Sequence, residues 1–281
     1  MRRNEASARE CAASACSLHR SASLVPLRSG LVDGERFMKR IVKFLVICVL
    51  VLSGCYGAYI LAYPTYHVRY RLSLDVEVDG KVQTSSGVVE IEYPITSDHR
   101  FGEGRKFGGY LHGNAITVNL GARGLIFVVN MFSVALVVEP NGKRELKRPH
   151  STFLTDLPLE AYGLPSDGLP SRMAVVVQQL EQKTGSIDIP LDRLPMLVRF
   201  RNIDDQMSIE EIEPDEFAAT FGPGVKLIRA TLELTRDPVT PMPSVWPRWL
   251  AEAKTAGFFV RARPEGNARF VNLTLYDFKG G

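Results

Sequence analysis

Between residues 67 and 79 apolar and polar side chains alternate without a break. Val68, Tyr70, Leu72, Leu74, Val76 and Val78 are interleaved with His67, Arg69, Arg71, Ser73, Asp75, Glu77 and Asp79. A helix, at 3.6 residues per turn, scatters such a set around its axis. A strand gathers it on one face. Asp79-Gly80 then supplies the two positive-φ positions of a tight hairpin turn. Val89, Ile91 and Tyr93, alternating with Glu90 and Glu92, form the return strand, which Pro94 halts. Glu90 and Glu92 are expected opposite Arg69 and Arg71 as paired charges. A hairpin with one apolar face has to bury it against a second layer. The chain has 281 residues, of which 45% are apolar and 23% charged, enough to build that layer. These proportions exclude a collagenous, disordered or disulfide-dense protein.

Residues 44–66 carry no charge, and Arg36, Lys39, Arg40 and Lys43 precede them. About 20 apolar residues cross the hydrocarbon core as a helix, and a cationic flank stays cytoplasmic. Tyr56, Tyr59, Tyr63 and Tyr66 crowd the far end, where phenol rings favour the headgroup level, and Pro64 ends the helix. The expected organisation is a disordered basic segment over 1–40, a transmembrane anchor over 41–63 and one body over 64–281. Within 1–40, Met38 reads as the natural start behind an over-extended gene model; a cytoplasmic tail or an Arg-rich presequence is the other reading. A competing reading makes 41–63 a lipoprotein signal. Leu52-Ser53-Gly54-Cys55 resembles a lipobox, and Cys55 is then the candidate lipidated residue. Tyr56, Ala58, Ile60 and Leu61 continue the apolar run past Cys55 and speak for the uncleaved anchor. Both readings put the body in the periplasm.

Charge and cysteine divide at the same place. Residues 1–63 carry a net +5 and residues 64–281 a net −2, so the body has no field for nucleic acid. Cys11, Cys16, Cys48 and Cys55 all precede Pro64. The body therefore has no disulfide, cysteine-ligated zinc or cysteine nucleophile.

Further along, 95–111 reads as a Gly-rich loop or a poorly regular hairpin and 115–120 as a strand closed by Gly121. The uncharged run 125–138 reads as a buried strand, or two, too short to span a bilayer again. A basic turn over 141–150 follows. Pro158, Pro165 and Pro170 make 151–170 an extended surface connection, and 173–183 a short helix stopped by Gly185. Residues 196–201 read as a strand and 214–221 as a short helix with Pro214 in its first turn. Ile228, Ala230, Leu232 and Leu234 are expected to share the inner face of another strand. A helix over 247–255 turns Trp249 and Leu250 inward, and Val271, Leu273 and Leu275 mark a last strand. The fold class expected is α+β or mainly β: one antiparallel β-rich domain with a few short helices, preceded by one transmembrane helix.

Pro64-Thr65-Tyr66-His67-Val68-Arg69-Tyr70-Arg71-Leu72, with Ser85-Ser86-Gly87-Val88-Val89-Glu90-Ile91, resembles the start of an uncharacterised family of proteobacterial membrane-anchored proteins. Leu197-Val198-Arg199-Phe200, Ser208-Ile209, Glu213-Pro214-Asp215, Phe221-Gly222-Pro223-Gly224-Val225 and Asp237-Pro238-Val239-Thr240 are similar to its C-terminal half. The resemblance implies an anchor followed by one domain. It carries no catalytic or binding residues.

The sequence holds no nucleophile elbow, zinc-protease pair, Walker loop or EF-hand loop. Gly102, Gly104, Gly108 and Gly109 read as a flexible loop rather than a phosphate cradle, for want of a following helix. Seven acids between Asp204 and Glu216 read as a solvated, dipole-complementing face rather than a calcium site. His67, His99, His112 and His150 lack metal-ligand spacing, although His99 and His112 flank the Gly-rich segment and meet if it folds back. Lys143, Arg144, Lys147 and Arg148 read as a solvated turn rather than a contact with anionic lipid. No cofactor and no catalytic residue is assigned. The expected function is a membrane-tethered, non-catalytic binding or accessory module whose partner is an envelope protein or polymer. The alternative is an envelope hydrolase whose acids or histidines assemble only in the fold. A cleft with facing carboxylates favours the enzyme, and an open strand edge or apolar patch favours the binder.

Overall fold

The computed structural model describes residues 30–98, 108–133, 135–138, 144–147, 151–253, 259–261 and 272–280. Two units divide at Ala58 and Tyr59. The described part of the first is one helix, α1 (Gly30–Ala62), whose last turn enters the second. Its stretch Phe37–Ala62 is long and apolar enough to cross a membrane, and none of it is buried. At 1.5 Å per residue those 26 residues span about 39 Å, against about 30 Å of hydrocarbon. The helix starts before the expected anchor: residues 30–40, assigned above to a disordered segment, are helical. Extending a formed helix costs far less than nucleating one.

The body contains, in chain order, β1 (Thr65–Val78), β2 (Lys81–Pro94), β3 (Tyr110–His112), β4 (Ile116–Asn119), β5 (Leu125–Val128), β6 (Ala135–Val138) and β7 (Arg144–Lys147). Then come α2 (Leu157–Ala161), α3 (Pro170–Glu181), β8 (Ser186–Ile189), β9 (Leu197–Phe200), β10 (Ile209–Ile212), α4 (Phe217–Phe221) and β11 (Val225–Leu234). The remaining elements are α5 (Arg248–Glu252), β12 (Phe259–Arg261), β13 (Asn272–Thr274) and α6 (Leu275–Phe278). One sheet has the order β3-β2-β1-β11-β8 and a second the order β10-β9-β5-β4; β6 pairs β7, and β12 pairs β13. Every named pairing is antiparallel, so the body is the α+β, β-rich domain expected.

The opening hairpin follows the alternation. Val68, Tyr70, Leu72, Leu74 and Val76 are buried, and Val78 is half-buried against the same core. Val78 pairs with Lys81, and Asp79 and Gly80 turn the chain at φ 51° and 79°. Nothing crowds a Cβ added at Gly80, so its cost is conformational only. Gly80→Ala is expected to lower stability by about 1 kcal/mol in a thermal melt, while Lys81→Ala leaves it within about 0.5 kcal/mol. On the outer face Glu90 sits opposite Arg69 and is hydrogen-bonded by it, with His67 Nδ1 at 3.1 Å. Partial burial pushes the Glu90 carboxyl up, but these hydrogen bonds and charges hold it below its usual range. Glu92, however, does not meet Arg71. It lies opposite His67 and bonds His112 Nε2 at 2.8 Å, while Arg71 reaches Asp237 and Glu233. The hairpin register puts Val88 beside Arg71 instead.

Further expectations are corrected by the structure. The segment 151–170 is no surface connection: Leu154, Leu157 and Leu159 are buried, and the Tyr70 and Tyr93 hydroxyls donate to the carbonyls of Leu154 and Thr155 at 2.7 and 2.8 Å. Pro158 fits because it stands in the first turn of α2, where no helical N–H is needed. Ile228 is exposed, although alternation alone places it inward. A β-bulge sets Leu227 opposite Val76 and Arg229 opposite Asp75, so Val225 and Leu227 face the core before it and Ala230 and Leu232 after it. The basic turn contains a strand, β7, paired with β6. At the C-terminus Leu275 opens α6 rather than extending β13, because Thr274 and Asp277 form a capping box there. The helix expected from Pro214 begins only at Phe217, and that expected over 247–255 spans α5 alone.

The second sheet is buried on both faces. Ile126 and Val128 enter a core with the inner face of the first sheet and with Met173, Val177 and Leu180 of α3. Phe127, Val198 and Phe200 enter another with Trp246, Leu250, Leu273 and Phe278. Burial on both faces explains the unbroken apolar run from 125, where a one-sided strand would alternate. The two sheets approach closely at Gly87, where an added Cβ would stand 2.8 Å from Ile116 Cγ1.

Candidate binding cleft

The sequence Ile189-Pro190-Leu191-Asp192-Arg193 shapes this site. β8 runs antiparallel along β11, pairing Ser186 with Glu233 through to Ile189 with Ala230. The next residue is Pro190, which has no N–H to give to a ladder. After it the chain swings into a 3₁₀ turn over Leu191–Arg193. β11 has ten residues and β8 covers four of them, so residues 225–229 have no strand partner on that edge among the described residues.

The other end of the site rests on Gly222-Pro223-Gly224, with φ 97° at Gly222 and 85° at Gly224. Arg123 holds this turn. Its guanidinium donates to the carbonyls of Phe221 and Pro223 at 2.9 and 3.2 Å and to Asp79 Oδ1 at 2.7 Å. A Cβ at Gly222 would stand 2.7 Å from an Arg123 guanidinium nitrogen and one at Gly224 2.8 Å from Asp79 Oδ1, so a side chain at either would displace the ends of these side chains as well as strain the backbone. The Asp79 N–H donates to the Gly224 carbonyl at 2.9 Å. Backbone groups alternate between the two edges of a strand, so those of Val225 and Leu227 turn away from β1 toward the vacant edge.

Along that edge lies a cleft of about 790 Å³. Its apolar walls come from Leu191, from Phe217 and Ala218 of α4, and from Val225 and Leu227. Four carboxylates, Glu77, Asp192, Glu213 and Asp215, line it with a single cation, Lys226. Asp192 and Asp215 are exposed, and Lys226 pairs in register with Glu77. The volume is in the range of small-ligand pockets.

The residues singled out in the sequence fall elsewhere, except two. Glu213 and Asp215 of the acidic run reach the cleft, whereas Glu210 is bonded by Arg199 and Asp205 accepts the Met207 N–H at 2.9 Å. His67 and His112 hold Glu90 and Glu92 on the outer face of the first sheet. Cys55 and Cys48 are free thiols on α1, Cys55 exposed. His99, His150, Lys143, Arg148 and the glycines at 102 and 104 lie outside the described residues, and only the backbone of Arg144 and Lys147 is described, within β7. Among the described residues no group of three or more His, Cys, Asp or Glu could hold a metal ion. The vacant edge leaves little trace in the sequence, because β8 is only four residues long. Its signal was Ile187 and Ile189 in alternation, stopped by Pro190. Comparison with protein-family models, with curated proteins and with solved structures returns no match for this chain.

Proposed function

We propose that the protein is a membrane-tethered binding module of the cell envelope, anchored by α1 with its body in the periplasm, and that it captures a polypeptide partner non-catalytically in the cleft beside β11. One observation carries this reading: an apolar cleft of about 790 Å³ lies against a strand edge that has no partner strand among the described residues. Exposed strand edges are usually blunted by charge or covered, and one bordered by an apolar cleft is a template for association. The cationic flank of α1 favours a cytoplasmic N-terminus. The resemblance to membrane-anchored proteins supports the same organisation. Hydrolysis has the four carboxylates on its side. Acid–base chemistry, however, needs one carboxyl kept protonated by burial; Asp192 and Asp215 are exposed, and Glu77 and Glu213 are only half-buried.

Two measurements test the proposal. Alkaline phosphatase fused after Gly281 is expected to be active and a cytoplasm-active reporter silent; the reverse pattern overturns the topology. A photo-crosslinking residue in place of Ala218 is expected to give, in irradiated cells, an adduct mapped by mass spectrometry to one segment of an envelope polypeptide. The same residue in place of Arg248, which lines no part of the cleft, should not give it. Adducts to glycan alone, or the same adduct from both positions, overturn the binding reading.

A further inference from the structure

We infer that the cleft takes its partner as an added β-strand, an extended segment of alternating apolar and basic residues that continues the line of β8 along residues 225–229. The inference rests on the binding reading of the cleft and specifies its occupant. Five residues of β11 offer about 16 Å of ladder, room for a segment of four or five residues. Val225 and Leu227 turn their backbone groups to this edge, which gives an incoming strand two residues to pair with.

The side chains of the occupant follow from the sheet's own alternation. Val225 and Leu227 point to the core face, where Leu191, Phe217 and Ala218 complete apolar walls. Residues of an added strand on that face are therefore apolar. For the intervening ones, the lining of the cleft carries four carboxylates against one lysine, and Arg229 at the end of the same edge is already engaged by Asp75, so charge complementarity selects cations. Among the described residues the first sheet has another open edge. β3 covers only residues 90–92 of β2, and Lys81, Val82, Gln83 and Thr84 on the uncovered part are exposed. None of those four residues lines a described cleft. Three of those four residues are polar or charged, which protects an edge of that kind. The edge of β11 has instead a break at Pro190, apolar walls and an acidic rim.

The test uses the full chain in nanodiscs and a fluorescent ten-residue peptide of alternating valine and lysine, read by anisotropy. Two further versions carry N-methyl groups, one on every valine nitrogen and the other on every lysine nitrogen, which block opposite edges of the peptide. The parent peptide is expected to bind. One methylated version is expected to bind at least about tenfold more weakly and the other within about twofold, since only one edge of the peptide pairs with β11. Glutamate in place of lysine should weaken binding at least about tenfold, and Asp192→Lys with Asp215→Lys, both at exposed positions, should reverse that preference. Ala218→Trp, which fills the cleft from an exposed position of α4, should abolish binding. If both methylated peptides bind like the parent while Ala218→Trp still blocks, strand addition is wrong and the cleft reading survives. A failure of the parent peptide to bind, with the position-218 adduct still formed in cells, sinks the proposed occupant alone. Loss of that adduct as well sinks both.

Discussion

Leu72→Asp is expected to abolish folding of the body, whereas Ser73→Asp, one residue away on the same strand, is expected to shift stability by no more than about 0.5 kcal/mol. Leu72 has no exposed surface and lies in the core of the first sheet between Tyr70 and Leu74. A carboxylate there has lost its water and gains no partner. The penalty is several kcal/mol, with the lost apolar burial added, against a net stability of about 5–15 kcal/mol for a whole domain. Ser73 is half-buried on the opposite, charged face, paired with Ser86 and Thr231. Limited proteolysis and thermal melts of the two variants in detergent measure the contrast. Equal effects from the two would mean that strand β1 does not bury its even-numbered face.

Stability is expected to fall steeply above about pH 10, the range in which an unfolded tyrosine ionises. Burial raises the Tyr70 phenol well above that range, and the neighbouring Tyr93 and Asp156 raise it further. Burial, with Asp156 again, raises Tyr93 too. Folding therefore holds both protons more tightly than the unfolded chain does. The stability linked to them is fully present below about pH 10 and is lost as pH rises toward the folded values. Each phenol contributes a slope of about 1.4 kcal/mol per pH unit, so the pair costs about 5 kcal/mol by about pH 12. Tyr70→Phe separates the two roles of the side chain. Near neutral pH it costs about 1–3 kcal/mol, because the Leu154 carbonyl loses its donor in the core, and at alkaline pH it halves the slope. Chemical denaturation as a function of pH, with tyrosinate absorbance followed in parallel, checks both. A flat profile would show that neither phenol is buried.

The two residues that hold those phenols also show where reading from sequence stops. Tyr70 and Tyr93 were placed inside by alternation alone, and both are inside. Their hydrogen-bond acceptors are not in any pattern. They belong to 154 and 155, in a segment whose prolines read as a surface connection and which is in fact core. Proline reports a missing N–H and a preset φ, not exposure. Ile228 errs for a related reason. A bulge shifts the phase of a strand by one residue, and only the partner strand reveals it.

The candidate site divides in the same way. Its acids at 213 and 215 and its Gly222-Pro223-Gly224 turn were visible as local composition, yet nothing local joined them to Leu191 or to Glu77, which lies more than a hundred residues earlier. Alternation over 67–79, the Asp79-Gly80 turn and the uncharged run 44–66 were determined by the sequence itself, since each depends on steric and solvation preferences of neighbouring residues. The vacant edge of β11 was decided by tertiary structure alone. It exists because β8 pairs with residues 230–233 and then meets Pro190. Which stretch of a ten-residue strand is left without a partner depends on the register between two segments about forty residues apart, and register is set by how both fit the shared core.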